Sequence, residues 1–192
     1  GPGGRITKED LQKFREKSTG VKEADDSHGS VTRVPLRGIR KSIAKHMAFQ
    51  QHNSANVTHI DEADVTELMK IREKEKSIMT KKGKNLTFLP FVIKAVVIGL
   101  KEYPVLNSTL DMENGEIILK NYYNIGIAVD TDDGLMVPVI KNADKKNILT
   151  LADSLGRIAE DARSRKIDLK DLKGSTFTIT NIGGYGGIFA TP

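Results

Sequence analysis

Apolar residues recur at three- and four-residue steps in five stretches of the chain and alternate with polar residues in several others. Thr7 precedes Lys8, Glu9 and Asp10, with Leu11 and Phe14 as the apolar positions, which predicts a short helix over 6–16. Leu36, Ile39, Ile43 and Met47 predict an amphipathic helix over about 38–50, whose other face carries Arg37, Arg40, Lys41 and Lys45. Asp64 and Glu67 have capping-box spacing and precede Leu68, Met69 and Ile71, so a helix is expected from there to about residue 79. Pro90 opens a very apolar helix that ends before Pro104 and reads as the buried central one. Thr150 is the expected cap of a last helix with Leu151, Leu155, Ile158 and Ala162 turned inward.

The alternating stretches predict strands. They fall at 56–63, 107–110, 117–119, 124–130 and 176–180. Two apolar runs flank Asp130–Gly134, and the Asp133-Gly134 pair marks a hairpin with the Asp130 carboxylate at the end of its first strand. Thr176 to Thr180 alternates hydroxyl and large apolar side chains. It runs into Asn181 and four glycines within 183–187. Hydroxyl, amide and permissive backbone therefore meet at a strand end, where a polar group can be held close to the main chain; an ordinary glycine-rich turn is the plainer alternative. Residues 17–30 show no apolar periodicity and read as a solvated linker. Strands and helices alternate, which predicts a mixed α/β (α+β) domain.

Composition removes several function classes. The chain has no cysteine, so it offers no disulfide, thiol nucleophile or cysteine-bound metal. Its 30 basic and 25 acidic residues are interspersed, giving a net charge of +5 that suits anionic ligands without indicating nucleic acid. The longest apolar run, 88–100, is broken by Pro90 and Lys94 and is too short to span a membrane; no signal peptide is visible. His46 and His52 lack metal-ligand spacing, and no metal site is expected. His59, near Asp61 and Glu62, offers either a general base or a structural strand histidine. The glycines at 183–187 fit neither a P-loop nor a dinucleotide fingerprint, and no nucleophile elbow occurs.

Six stretches, taken in order, resemble the catalytic domain of the dihydrolipoamide acyltransferases, the core components of 2-oxo acid dehydrogenase complexes. They are Leu36 to Met47, Asp61 to Leu68, Leu89 to Ala95, Pro104 to Asn107, Asn124 to Pro138 and Phe177 to Gly183. The resemblance covers about 33–192. Gly4 to Leu11 is similar to the last helix of that family's peripheral-subunit-binding domain. The implied organisation is a remnant of that domain at 1–17, a flexible linker at 18–32, and an acyltransferase domain at 33–192 that is incomplete at its C-terminus. The implied fold is that of chloramphenicol acetyltransferase, a mixed sheet with flanking helices.

The resemblance implies acyl transfer between dihydrolipoamide and coenzyme A, with the lipoyl group carried on another domain. Thr180 matches the hydroxyl residue that donates to the tetrahedral oxyanion, while Arg72, Thr87, Asp130, Thr180 and Asn181 match coenzyme A positions. The family's general-base histidine lies in a His-x-x-x-Asp-Gly motif that the sequence does not contain, and none of His28, His46, His52 and His59 matches it. An inactive chain is the corresponding expectation, with a non-catalytic assembly module as the alternative. Implied partners are further copies of the chain (a trimer, and a larger shell in the family), the lipoyl domain, and the decarboxylase and dihydrolipoamide dehydrogenase components. Implied locations are the prokaryotic cytoplasm, which is preferred, or the mitochondrial matrix. The acyl group stays open among acetyl, branched-chain and succinyl.

Overall fold

The computed structural model describes residue 8 and residues 20–81, 83, 85–132, 134–184 and 186. The helix expected at 6–16 and the binding-domain remnant at 1–17 therefore lie, apart from Lys8, outside the described residues. The chain divides into two units, Gly1–Asn56 and Val57–Pro192.

In the first unit, β1 (Lys22–Asp26) and β2 (Gly29–Arg33) form an antiparallel hairpin, with Ala24 opposite Val31. This corrects the expectation of a flexible linker over 18–32. The segment lacks apolar alternation, and turn chemistry makes the hairpin. The Asp26 carboxylate accepts from the backbone N–H groups of His28 at 2.8 Å and Gly29 at 3.1 Å, and Gly29 takes a positive φ of 146°. Helix α1 (Gly38–Asn53) lies where periodicity placed it, yet none of its residues is buried within the chain.

The second unit begins with an extended segment where a strand was expected at 56–63. Val57 is 92% exposed and no strand forms. Alternation alone does not make a strand, because its N–H and C=O groups need a partner chain. Helix α2 (Thr66–Lys81) starts just after Asp64, whose carboxylate accepts from the Thr66 N–H at 2.9 Å. Glu67 pairs with Lys70 at 2.6 Å. Helix α3 (Leu89–Glu102) has Pro90 in its first turn and buries Ile93, Val97 and Leu100, while Ile98 faces outward at 67% exposure. One face is central, then, rather than the whole cylinder.

A 3₁₀ turn (Pro104–Asn107) leads into β3 (Ser108–Asp111) and β4 (Glu116–Leu119), an antiparallel hairpin. Buried Asn107 pins the segment leaving β4, its Nδ2 donating to the Lys120 carbonyl at 2.6 Å and the Tyr122 carbonyl at 3.1 Å. Strand β5 (Ile125–Ile127) is central in a three-stranded mixed sheet. It runs antiparallel to β6 (Val139–Ile140) and parallel to β7 (Phe177–Ile179). Between these two neighbours comes α4 (Ile148–Arg163). Its cap is Asn147, not Thr150. Asn147 Oδ1 accepts from the Thr150 N–H at 2.8 Å and the Thr150 hydroxyl at 2.9 Å, because the helix begins a turn earlier than expected. Apolar faces of α3 and α4 close over β5 in one core, in which Ile93, Ile125 and Leu151 are fully buried.

Gly126 sits in the middle of β5, and a Cβ there would lie 2.9 Å from Ser175 Oγ and Val137 Cγ1 and 3.0 Å from Thr178 Oγ1. Gly126→Ala is expected to lower stability by about 1–3 kcal/mol through this overpacking, read by denaturant unfolding.

Asp111 accepts from the N–H groups of Glu113 and Asn114 and from Asn114 Nδ2 at 2.9 Å. These bonds favour its charged form, the Asn114 side chain most, and hold its pKa below the ordinary aspartate value. A lowered folded-state pKa gives stability that is complete above the unfolded-state value and is lost as pH falls through the folded one. The Asp111 carboxyl should therefore titrate at lower pH in the folded chain than in an unfolded reference, as monitored by its NMR shift. Acid loosening of the β3–β4 turn should be blunted in Asp111→Asn, which no longer titrates.

Candidate functional site: the cleft at the ends of β5 and β7

Parallel pairing sets Ile127 opposite Ile179, and the Ala128 N–H donates to the Ile179 carbonyl at 3.0 Å. Both strands leave the sheet on the same side. Beyond β5, Val129 bridges Met136 and carries the chain out to Asp130, as the alternation predicts, while Asp133 of the expected turn pair lies outside the described residues. The loop is closed by the Thr131 hydroxyl donating to the Gly134 carbonyl at 2.5 Å. Beyond β7 come Thr180 and Asn181, whose Oδ1 accepts from the Gly183 N–H at 3.0 Å. That bond turns the chain and leaves the amide nitrogen of Asn181 as a donor.

These ends open into a cleft of about 1290 Å³. Its floor is apolar, with Ile127, Val129 and Ile179 from the strand ends. One wall is the start of α3, with Phe88, Leu89 and Val92, preceded by Asn85 and Thr87. The opposite wall is α4. Ala152, Gly156, Ala159 and Arg163 fall on one stripe at four-, three- and four-residue steps, so small side chains keep this wall concave and an arginine closes it. Asp130 and Arg163 also border a smaller cavity of about 310 Å³ with Thr131 and Asp132. A mostly apolar concavity with a few convergent polar groups is the usual form of a small-molecule site, and this one exceeds the ordinary range of about 300–1,000 Å³. It has room for a long ligand.

Of the five residues singled out from the sequence, Thr87, Asp130, Thr180 and Asn181 line this one cleft. Arg72 does not. It lies on α2 with its side chain 16% exposed. Its Nε donates to the Leu86 carbonyl at 3.1 Å, an Nη pairs with Glu73 at 3.2 Å, and its guanidinium lies 4.6 Å from the centre of the Phe88 ring. No histidine is among the cleft's described lining residues. Among the described residues no cluster of His, Asp or Glu could hold a metal ion, and no helix is long and apolar enough to cross a membrane.

The family model of the 2-oxoacid dehydrogenases acyltransferase (catalytic domain) matches residues 28–192. The chain belongs to this family. Over 214 aligned residues it is 41% identical to the dihydrolipoyllysine-residue acetyltransferase component of pyruvate dehydrogenase complex of Staphylococcus epidermidis. That alignment covers 100% of the chain and 49% of the relative. The Bacillus subtilis protein of the same description is 40% identical, again over 100% of the chain and 48% of the relative. The chain thus spans about half the length of the curated relatives it matches. Among solved structures, a dihydrolipoamide acetyltransferase of Azotobacter vinelandii superposes with a TM-score of 0.83 at 40% identity, over 86% of this chain and 68% of that one. The cubic core of a pyruvate dehydrogenase multienzyme complex matches equally well, with a TM-score of 0.83 at 40% identity over the same shares. Acyltransferase-family membership and the mixed α/β fold read from the sequence are thus both met.

Two cleft features escape a reading of the sequence. Phe88 resembles the end of a short extended piece, and Arg163 one cation among many on α4. A signal for Arg163 is present, since the small residues 152, 156 and 159 share its helical face. Arg72→Met removes the donor to Leu86 and the cation over Phe88, so about 1–3 kcal/mol of stability should be lost in chemical unfolding. Arg72→Lys should recover only part of it, since a lysine cannot both stack on the ring and hold the same bond.

Proposed function

We propose that this acyltransferase-family chain forms the walls of an acyl-transfer site, at which an acyl group passes between dihydrolipoamide and coenzyme A. The observation that carries the reading is the meeting of Thr180, Asn181, Asp130 and Thr87 in one long cleft at the ends of two parallel strands. In this reading the Thr180 hydroxyl, fixed by the end of β7, donates a hydrogen bond to the oxyanion that forms as a thiol attacks the acyl carbonyl. It does so without moving, so the interaction is stronger in the transition state than before it. Asn181 and Thr87 offer neutral polar contacts and Asp130 an acceptor for the hydroxyl and amide groups of a coenzyme A arm. The apolar floor excludes water from the thioester. The thiol-activating base is assigned to none of His28, His46, His52 and His59.

The names of the 41%-identical relatives support acetyl as the acyl group and a pyruvate dehydrogenase complex as the setting. The cubic-core match supports self-assembly, with trimers as the unit that builds a shell. The lipoyl domain and the decarboxylase and dihydrolipoamide dehydrogenase components are the proposed partners, with the lipoyl group as a carried substrate. The proposed location is the cytoplasm. A docking remnant at 1–17, a link to it, and a catalytic domain after it remain our proposed organisation, with the β1–β2 hairpin inside the link.

The 192-residue chain should bind coenzyme A in a calorimetric titration. By itself it should turn over at least about 10²-fold below the level of a complete site, because no histidine is among the cleft's described lining residues to act as base. In a full-length enzyme carrying this domain, Thr180→Val should lower kcat by about 10²–10³-fold and Thr180→Ser should retain activity. Full activity of the valine variant, or no binding of coenzyme A, would defeat the reading.

A further inference from the structure

Thr180 stands where β7 puts it, and burial holds β7 only weakly. The strand is three residues long, lies at one edge of the described β6-β5-β7 sheet, and leaves Phe177 and Thr178 exposed. Register is strongly specified where one face of a strand is buried, and less so here. A slip of one residue along β5 would carry Thr180 about 3.3 Å and turn its side chain to the other face. Hydrogen bonds at the start of the ladder supply what burial does not.

Asn124, half-buried at the entry to β5, is the centre of those bonds. Its carbonyl accepts from the Thr176 N–H at 2.8 Å. The Thr176 hydroxyl accepts from the Asn124 N–H and donates to the Asn124 carbonyl, both at 3.3 Å. The side-chain amide reaches the segments beside both edge strands at once. Its Oδ1 accepts from the Asn142 N–H at 2.9 Å, in the turn after β6. Its Nδ2 donates to the Gly174 carbonyl at 2.9 Å, just before β7. Both partners have left-handed backbone, with φ of 50° at Asn142 and 77° at Gly174, which turns their peptide groups toward the amide. One N–H partner and one C=O partner fix which end of the amide faces which. Aspartate would lose the donor here, and leucine both groups. Lys141, directly after β6, adds a second tie by donating from Nζ to the Lys173 carbonyl.

Resting on the reading of Thr180 as the oxyanion donor, we infer that Asn124 is a positioning residue for that hydroxyl, acting through β7 from the end of the sheet opposite the cleft. Thr176 is four residues before Thr180, so the clamp works over about 13 Å of extended strand. Asn124 itself is absent from the cleft's described lining. An oxyanion bond depends closely on distance, and a misplacement of about 1 Å can cost about 10²-fold in rate. A loosened β7 therefore slows the chemical step, while Thr87 and Asp130 keep their places on other segments and binding is largely retained.

The test is a double-mutant cycle on kcat in a full-length enzyme carrying this domain, with Asn124→Ala, Thr180→Val and the two combined. Asn124→Ala should lower kcat about 10-fold or more and leave the KM for coenzyme A unchanged. In the Thr180→Val background it should cost little further, because the hydroxyl to be positioned is gone. A merely structural role would lower kcat by the same factor in both backgrounds. Asn124→Asp keeps the acceptor for Asn142, so the turn after β6 holds, but sets an oxygen against the Gly174 carbonyl. It should show the same loss and the same dependence on Thr180, which keeps the test open where the alanine variant does not fold. Equal losses in the two backgrounds, a change in KM alone, or unreduced kcat in Asn124→Asp would overturn the inference while the impaired Thr180→Val enzyme leaves the site reading intact. Full activity of Thr180→Val would instead remove the site reading, and this inference with it.

Discussion

Three residues of parallel pairing hold this site together. Ile125–Ile127 and Phe177–Ile179 lie about fifty residues apart in sequence, and only their ladder brings Thr180 to the same end of the sheet as Asp130. Parallel neighbours cannot be joined by a tight turn, so the chain must leave the sheet and return. After pairing β6 on the other edge of β5 it does so through α4, which becomes the far wall of the cleft on the way. The requirement for close strand approach explains Gly126, whose missing side chain lets Val137, Ser175 and Thr178 crowd the centre of β5. Sheet, helix and cleft are therefore consequences of one connection.

Much of this second unit was legible because its elements bury apolar faces. The periodicities of α3 and α4 and the alternation at 124–130 and 176–180 all report burial, and burial is what Ile93, Leu151, Ile125 and Ile127 achieve. What misled was pattern without burial. Residues 56–63 alternate, but among the described residues nothing pairs with them as a strand. Residues 22–33 carry no such pattern, yet they pair because Asp26 and Gly29 build a turn. Thr150 has the residue type of a cap but sits one turn inside Asn147. Each failure concerns hydrogen bonds, which hydropathy does not record.

The site shows the same division. Thr180, Asn181, Asp130 and Thr87 are legible from their positions beside predicted elements, and family register adds their roles. Register assigns a column, however, and not the direction of a side chain. Arg72 keeps its column while its guanidinium is spent on Leu86 and Phe88, a fact fixed by the packing of α2 against the segment before α3. Arg163 carries no motif at all. Its part in the wall comes from sharing a helical face with three small residues, a relation that matters only once the opposite wall is known.

The small residues of that face have a thermodynamic side. Gly156 lies in the interior of α4, where glycine is worse than alanine by about 0.5–1 kcal/mol because its backbone loses more freedom on folding. Nothing stands within 4 Å of the position a Cβ would take, so packing does not demand the glycine. The space it leaves is cleft. Helix α4 is thus less stable than its own backbone allows, and the difference goes into room for a ligand. Selection for thermal endurance and selection for a deep cleft would pull this one position toward opposite residues.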